Sequence, residues 1–164
     1  MATPSLAGLG PLDGLLLVDK PSGPTSHDVV AQIRRRFRIP KVGPGGTLDP
    51  MATGLLVILL GKGTKVSERV MGHDKTYEGV FRLGIETDSQ DADGRVVAET
   101  DPSAVTAEQI AAQMSARLGD QMQTPPMVSA IKLNGVPLYK LARKGQTVER
   151  AAKLVHLYRF DLLE

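Results

Sequence analysis

An α+β fold with a largely antiparallel sheet flanked by helices is what this sequence predicts. Three observations carry the expectation. Strand-like and helix-like hydrophobic patterns are mixed along the chain. Turn signals suited to hairpins, Asp91-Ala92-Asp93-Gly94 and Asn134-Gly135, fall between such runs. No internal repeat, low-complexity tract or domain-length linker interrupts the 164 residues. One domain is therefore expected, large enough to bury roughly 70% of the surface its unfolded form exposes.

The elements follow in order. Residues 1–14, rich in Gly, Ala, Pro and Leu, read as a flexible lead-in. They lack the basic region and apolar stretch of a secretory signal. Leu15 to Val18 reads as a strand, ended by the turn chemistry of Pro21-Ser22-Gly23-Pro24. Ser26 reads as the N-cap of a helix that reaches about Phe37, with Val29, Val30, Ile33 and Phe37 on one face. A Gly/Pro-rich loop spans 39–54, and the six apolar residues Leu55 to Leu60 have the length of a buried strand. Thr64 is expected to cap a short helix reaching Met71. Thr76 to Leu83 looks like a strand with Tyr77, Phe81 and Leu83 sharing a face, and Arg95 to Glu99 like its partner. Thr106-Ala107-Glu108-Gln109 fits a capping box, opening a helix with Ile110, Met114 and Leu118 inward. Val128 to Leu133 suggests another strand, Leu138 to Lys144 a short helix stopped by Gly145, and Lys153 to Leu163 a final strand.

Composition excludes several classes of function. Apolar residues at 41% and charged residues at 23% are ordinary for a soluble globular protein. Cysteine is absent, which removes disulfides, thiol nucleophiles and cysteine-held metals, and suits a reducing, cytoplasmic setting. The longest apolar run has six residues, far short of a membrane span. Gly61-Lys62-Gly63-Thr64 does not meet the spacing of a phosphate loop. Ser89 to Gly94 imitates the start of a calcium loop, but Thr100 stands where a glutamate is needed. His27, His73 and His156 lack metal-ligand spacing. No metal, cofactor or membrane partner is expected.

Net charge is only +2, but its distribution is uneven. Arg34, Arg35, Arg36, Arg38 and Lys41 lie close together, and Lys132, Lys140, Arg143 and Lys144 form a second basic group. Acidic residues gather at Glu86, Asp88, Asp91 and Asp93. Basic groups of this kind suit a phosphate-rich partner, and equally a solvated helix face.

The segment Gly46-Thr47-Leu48-Asp49-Pro50-Met51-Ala52-Thr53-Gly54 holds one carboxylate in a constrained backbone. Gly46 admits close approach of a ligand, and Pro50 keeps Asp49 out of the helical region. An aspartate in a fixed loop at the lip of a buried strand is a good place for a nucleophile. The competing reading is that Asp-Pro simply forms a turn.

Several stretches together identify a family. Leu15 to Ser26, with Asp19-Lys20-Pro21-Ser22-Gly23-Pro24, resembles the first motif of the TruB family of tRNA pseudouridine synthases. Gly46 to Gly54 resembles that family's catalytic loop. Asp74-Lys75-Thr76-Tyr77 with Arg82-Leu83-Gly84 and Thr87 to Gly94 resembles the next block, and Pro126 to Lys132 with Gly135, Tyr139 and Ala142-Arg143 a third. The resemblance covers nearly everything from Leu15 onward. It implies a pseudouridine-synthase-like sheet and the N-terminal portion of a catalytic domain over 15–164. It also implies isomerisation of uridine to pseudouridine in the T-loop of tRNA, position 55, without cofactor or metal.

Under that resemblance Asp49 corresponds to the catalytic aspartate, ionised on the floor of a cleft shaped for an unstacked uridine. Tyr77 corresponds to the tyrosine that stacks on the flipped base. Lys20 matches a lysine near the active-site floor, or serves packing. Asp88 matches an aspartate near the flipped bases, or closes a turn. Lys132, Tyr139 and Arg143 are expected to be partly structural and partly RNA-facing. Arg34, Arg35, Arg36, Arg38 and Lys41 are expected to meet tRNA phosphates.

Two departures are visible. Where the family usually has Gly-His-small-Gly, this chain has Gly43-Pro44-Gly45-Gly46, which should weaken base extrusion or alter T-loop binding rather than abolish chemistry. The family's later Lys-Gly-Thr-Tyr-Ile-Arg-type segment, with the arginine that pairs with the catalytic aspartate, and its C-terminal RNA-binding PUA domain are not in these residues. The chain is thus expected to lack strands of its sheet, leaving an edge open to self-association or to another polypeptide. A non-catalytic RNA-binding or tRNA-folding module, or a half-protein needing a complementary chain, are the alternative functions.

Overall fold

The computed structural model describes residues 12–129, 131–142 and 144–163, and of Lys132 and Tyr139 the backbone alone. The chain divides into two compact units, Met1–Glu78 and Gly79–Glu164. The secondary structure is mixed, with antiparallel sheets and few helices.

In the first unit, β1 (Gly14–Lys20), β2 (Val42–Pro44) and β3 (Gly54–Leu60) form a three-stranded antiparallel sheet in the order β1-β3-β2. Helix α1 (Ser26–Phe37) packs on one face. Its inward residues Ser26, Val29, Val30 and Ile33 recur at helical spacing and make one buried stripe. Val29, Val30 and Ile33 meet Ile39, Val42, Leu56 and Ile58, and each fully buried aliphatic side chain contributes roughly 1.5–3 kcal/mol. The helix is capped by Thr25 rather than Ser26. The Thr25 hydroxyl accepts from the Asp28 N–H and the Asp28 carboxylate accepts from the Thr25 N–H, which leaves Ser26 free to point inward. Arg38, left-handed at φ 54°, ends it, and Pro40 follows.

Register decides what lies near the loop ahead of β3. Leu16 pairs with Ile58 and Lys20 with Gly54, so the end of β1 lies against the loop's exit. Short β2, inside the stretch expected to be loop, is an edge strand and therefore tolerates Pro44. After β3, a 3₁₀ turn (Gly61–Val66) leads into α2 (Ser67–Met71). Thr64 does not cap a helix; its hydroxyl donates to the Gly61 carbonyl within the turn. A side chain at Gly45 would press on Val70 and Val57, so glycine there permits close packing of the loop.

The second unit consists of paired strands and short helices. β4 (Ile85–Thr87) pairs with β5 (Val96–Glu99), β6 (Gly119–Gln123) with β9 (Lys153–Leu157), and β7 (Lys132–Leu133) with β8 (Val136–Pro137), all antiparallel. Asn134 and Gly135, both left-handed, make the tight turn between β7 and β8. Helix α3 (Ala107–Ser115) has the expected capping box at Thr106 and Gln109, yet buries none of its residues. Helix α4 (Leu138–Ala142) ends before Gly145 at φ 70°.

Several boundaries differ from expectation. Residues 76–83 form no strand; Tyr77, Phe81 and Leu83 are exposed, and the partner of β5 is β4 instead. A strand needs a neighbour to satisfy its backbone, and among the described residues this stretch pairs with none. The strand expected from Val128 begins only at Lys132, and the last strand stops at Leu157. Among the described residues no helix is long and apolar enough to cross a membrane.

Candidate active site

The backbone around Asp49 is held from both sides by side chains and amides of 20–26. Lys20, with none of its surface exposed, sends its ammonium to three carbonyls: Pro21 at 3.0 Å, Pro50 at 3.1 Å and Ala52 at 2.7 Å. Its three N–H groups thereby replace their lost water, which is what allows a charge to be buried. The Gly23 N–H also donates to the Pro50 carbonyl, at 2.8 Å. One residue before the aspartate, Ser26 is 1% exposed, and its hydroxyl bonds both polar groups of Leu48: it accepts from the N–H at 2.9 Å and donates to the carbonyl at 3.1 Å. The Ala52 N–H closes the turn on the Asp49 carbonyl at 3.1 Å, with Pro50 inside it. Asp-Pro thus forms a turn, as the simpler sequence reading has it, and the turn presents the Asp49 carboxylate.

The Asp49 side chain is exposed. Among the described residues no hydrogen-bond donor or cation partners its carboxylate, and Met1–Glu78 places it at the surface instead of on a cleft floor. The expectation of an enclosed site is corrected in that respect: 20–26 and 48–52 supply a support, and no wall. Tyr77 is likewise open, at 70% exposure.

The remaining candidates separate by what they touch. Arg34 donates to the Val42 carbonyl at 2.9 Å, tying α1 to β2, although its side chain is otherwise exposed. Arg35, Arg36, Arg38 and Lys41 are exposed on and just after α1. Asp88 accepts from the Arg95 N–H at 3.0 Å and faces the Arg95 guanidinium at 3.7 Å, which closes the turn between β4 and β5. The Lys132 side chain and Arg143 lie outside the described residues. Among the described residues no His, Asp and Glu side chains gather as a metal site.

Sequence reasoning missed the task of Ser26. A buried hydroxyl one position after a capping threonine was the available signal: two such residues in a row cannot both cap the same helix end.

A family model described as TruB family pseudouridylate synthase (N terminal domain) matches residues 34–164. The tRNA pseudouridine synthase B of Opitutus terrae is 54% identical over 151 residues, 92% of this chain and 63% of the relative. That of a Mycobacterium species is 49% identical over 158 residues, 96% of this chain and 53% of the relative. Among solved structures, a Cbf5-Nop10-Gar1 complex matches 73% of this chain and 31% of its own at 30% identity and a TM-score of 0.48. The chain therefore spans from just under half to just under two thirds of the length of curated relatives it matches.

Proposed function

We infer that this chain, which belongs to the TruB family of pseudouridylate synthases, isomerises uridine to pseudouridine in the T-loop of tRNA, at position 55, with Asp49 as the nucleophile. The observation that carries the reading is the pinned backbone of 48–52, from which the Asp49 carboxylate projects without a partner among the described residues. A nucleophile needs a fixed position and unspent lone pairs, and this arrangement supplies both. Asp49 acts on the ribose, by attack at C1′ or by way of elimination to a glycal, and the bond from C1′ to the base nitrogen breaks. The freed uracil turns and rejoins through C5 as the Asp49–C1′ bond breaks or, on the glycal route, as the C2′ proton returns; the C5 proton then leaves and N1 gains one. Nothing is gained or lost overall, so no co-reactant is required.

The base must be unstacked first. Tyr77, exposed and aromatic, suits stacking on a flipped base. Arg35, Arg36, Arg38 and Lys41 suit phosphates of the T-arm, which they position without reading sequence. The work belongs in the cytoplasm, where a cysteine-free chain is at ease.

A second reading is favoured by the exposure of Asp49. A carboxylate in open water is poorly activated, so turnover would need a complementary polypeptide to supply walls and a cation. The outer edge of β1, unpaired among the described residues and with Leu15 and Leu17 of the same strand exposed, offers a place for such a chain or for self-association.

The test is single-turnover pseudouridine formation on an unmodified T-loop stem. Activity that falls about 10³-fold or more in Asp49→Asn supports the enzyme, a loss of the size that removal of a nucleophile brings. RNA binding without product, unchanged by the substitution, supports a binding module and overturns catalysis by this chain.

A further inference from the structure

We propose that Ser26 is a positioning residue for Asp49, acting through the peptide groups of Leu48. This rests on the reading of Asp49 as the nucleophile for its catalytic consequence, but not for its structural content. The Ser26 side chain is nearly fully buried and spends its hydroxyl as donor and as acceptor on one residue, the one that precedes Asp49. Both soft dihedrals that would swing the chain entering Asp49 move the groups that this hydroxyl holds. Thr25 already caps α1, so the hydroxyl of Ser26 is not needed for the helix. Lys20 secures the residues after Asp49, at Pro50 and Ala52, and Ser26 is the matching anchor ahead of it. A loop fixed at one end alone still pivots; fixed at both, it aims the carboxylate.

The arrangement also excludes alternatives at this position. Alanine keeps the volume but takes from both Leu48 groups, which lie half-buried, the partner they share. Threonine keeps the hydroxyl. A general loss of stability, in contrast, is reproduced by a core truncation on the same helix, Val29→Ala, in the cluster against which Leu48 packs, which leaves the Ser26 hydroxyl and both its hydrogen bonds to Leu48 in place.

Two measurements on the 164-residue chain decide the matter. Amide hydrogen exchange at Leu48 should accelerate about 10-fold or more in Ser26→Ala and stay near the parent value in Ser26→Thr and Val29→Ala. Single-turnover pseudouridine formation at saturating RNA should fall about 10- to 100-fold in Ser26→Ala, with RNA affinity retained, and Ser26→Thr should restore it. Val29→Ala, matched for thermal midpoint, should retain the rate. Unchanged Leu48 exchange in Ser26→Ala overturns the proposal, whatever the activity. So does an unchanged rate in a chain whose parent is active. If the parent makes no product, the enzymatic reading of this chain fails, and the exchange result alone decides whether Ser26 fixes the loop. Should Ser26→Ala not fold, the same comparison is made with Ser26→Cys, which fills the space with a weaker hydrogen-bonding group.

Discussion

The loop of Asp49 and the stretch that carries Tyr77 are both exposed, yet they are exposed for different reasons. At 48–52 the backbone is fastened by Ser26, Lys20 and Gly23, while Asp49, Pro50 and Met51 stand exposed. At 76–83 both backbone and side chains are open, with Val80 wholly exposed and Phe81 76% exposed. The first region obtains its shape from Lys20 at the end of β1, Gly23 in the turn that follows and Ser26 at the start of α1. The second has the alternation of a strand and no strand beside it. A pattern of side chains therefore selects a structure only where a partner is present to accept its hydrogen bonds.

Substitution should expose this contrast most strongly in the core beneath the loop. Ile58→Ala, from a side chain with no exposed surface, is expected to lower unfolding free energy by about 2–5 kcal/mol in urea titrations. Phe81→Ala, a larger truncation, should cost less than about 1 kcal/mol, since what it loses is chiefly a tilted ring contact to Phe160 at 6.1 Å. Equal losses would break the comparison.

Next comes the fastening itself. Lys20→Met keeps the apolar stem but leaves the Ala52 carbonyl without its donor, and is expected to cost about 2–4 kcal/mol by the same titration. Pseudouridine formation should fall with it. An unaffected midpoint would mean that the loop stands without the ammonium.

The smallest effect should appear at the start of α1. The Thr25 hydroxyl and, after it, the Thr25 N–H hold the Asp28 carboxyl below its ordinary pKa. A depressed folded pKa adds stability that is present above the unfolded value and is lost as pH falls through the folded one. Thr25→Ala should lower the thermal midpoint by about 2–4 °C near neutral pH. Part of that difference should disappear below the ordinary carboxylate range. A difference that stays the same down to acid pH would remove Asp28 from the cap.

These regions also show what could be read in advance. The hydrophobic spacing of Val29, Val30 and Ile33 and the run 55–60 located α1 and β3 because burial against each other is enough to form them. Gly46 to Gly54 marked the loop, and the side chain of Asp49 was identified within it. What escaped reading was tertiary. That Lys20 would lie opposite Gly54 follows from strand register, and that Ser26 would turn toward Leu48 follows from helix placement. Neither is a property of local sequence. The exposure of Asp49 belongs with these, since enclosure comes from whatever packs around a residue. Tyr77 was misplaced on a strand for the same reason.

The latch formed by Lys20 has no anion in it. Its ammonium is shut away and binds only peptide oxygens, so mobile ions have little access and ionic strength has little to screen. The arginines on α1 face solvent, where salt competes directly for phosphate. One molecule thus carries two electrostatic devices with opposite responses to the medium. On the proposed function, rising salt should strip away a bound polyanion while the geometry of the carboxylate stays as it was, so that capture of RNA and readiness for chemistry would be separately controlled.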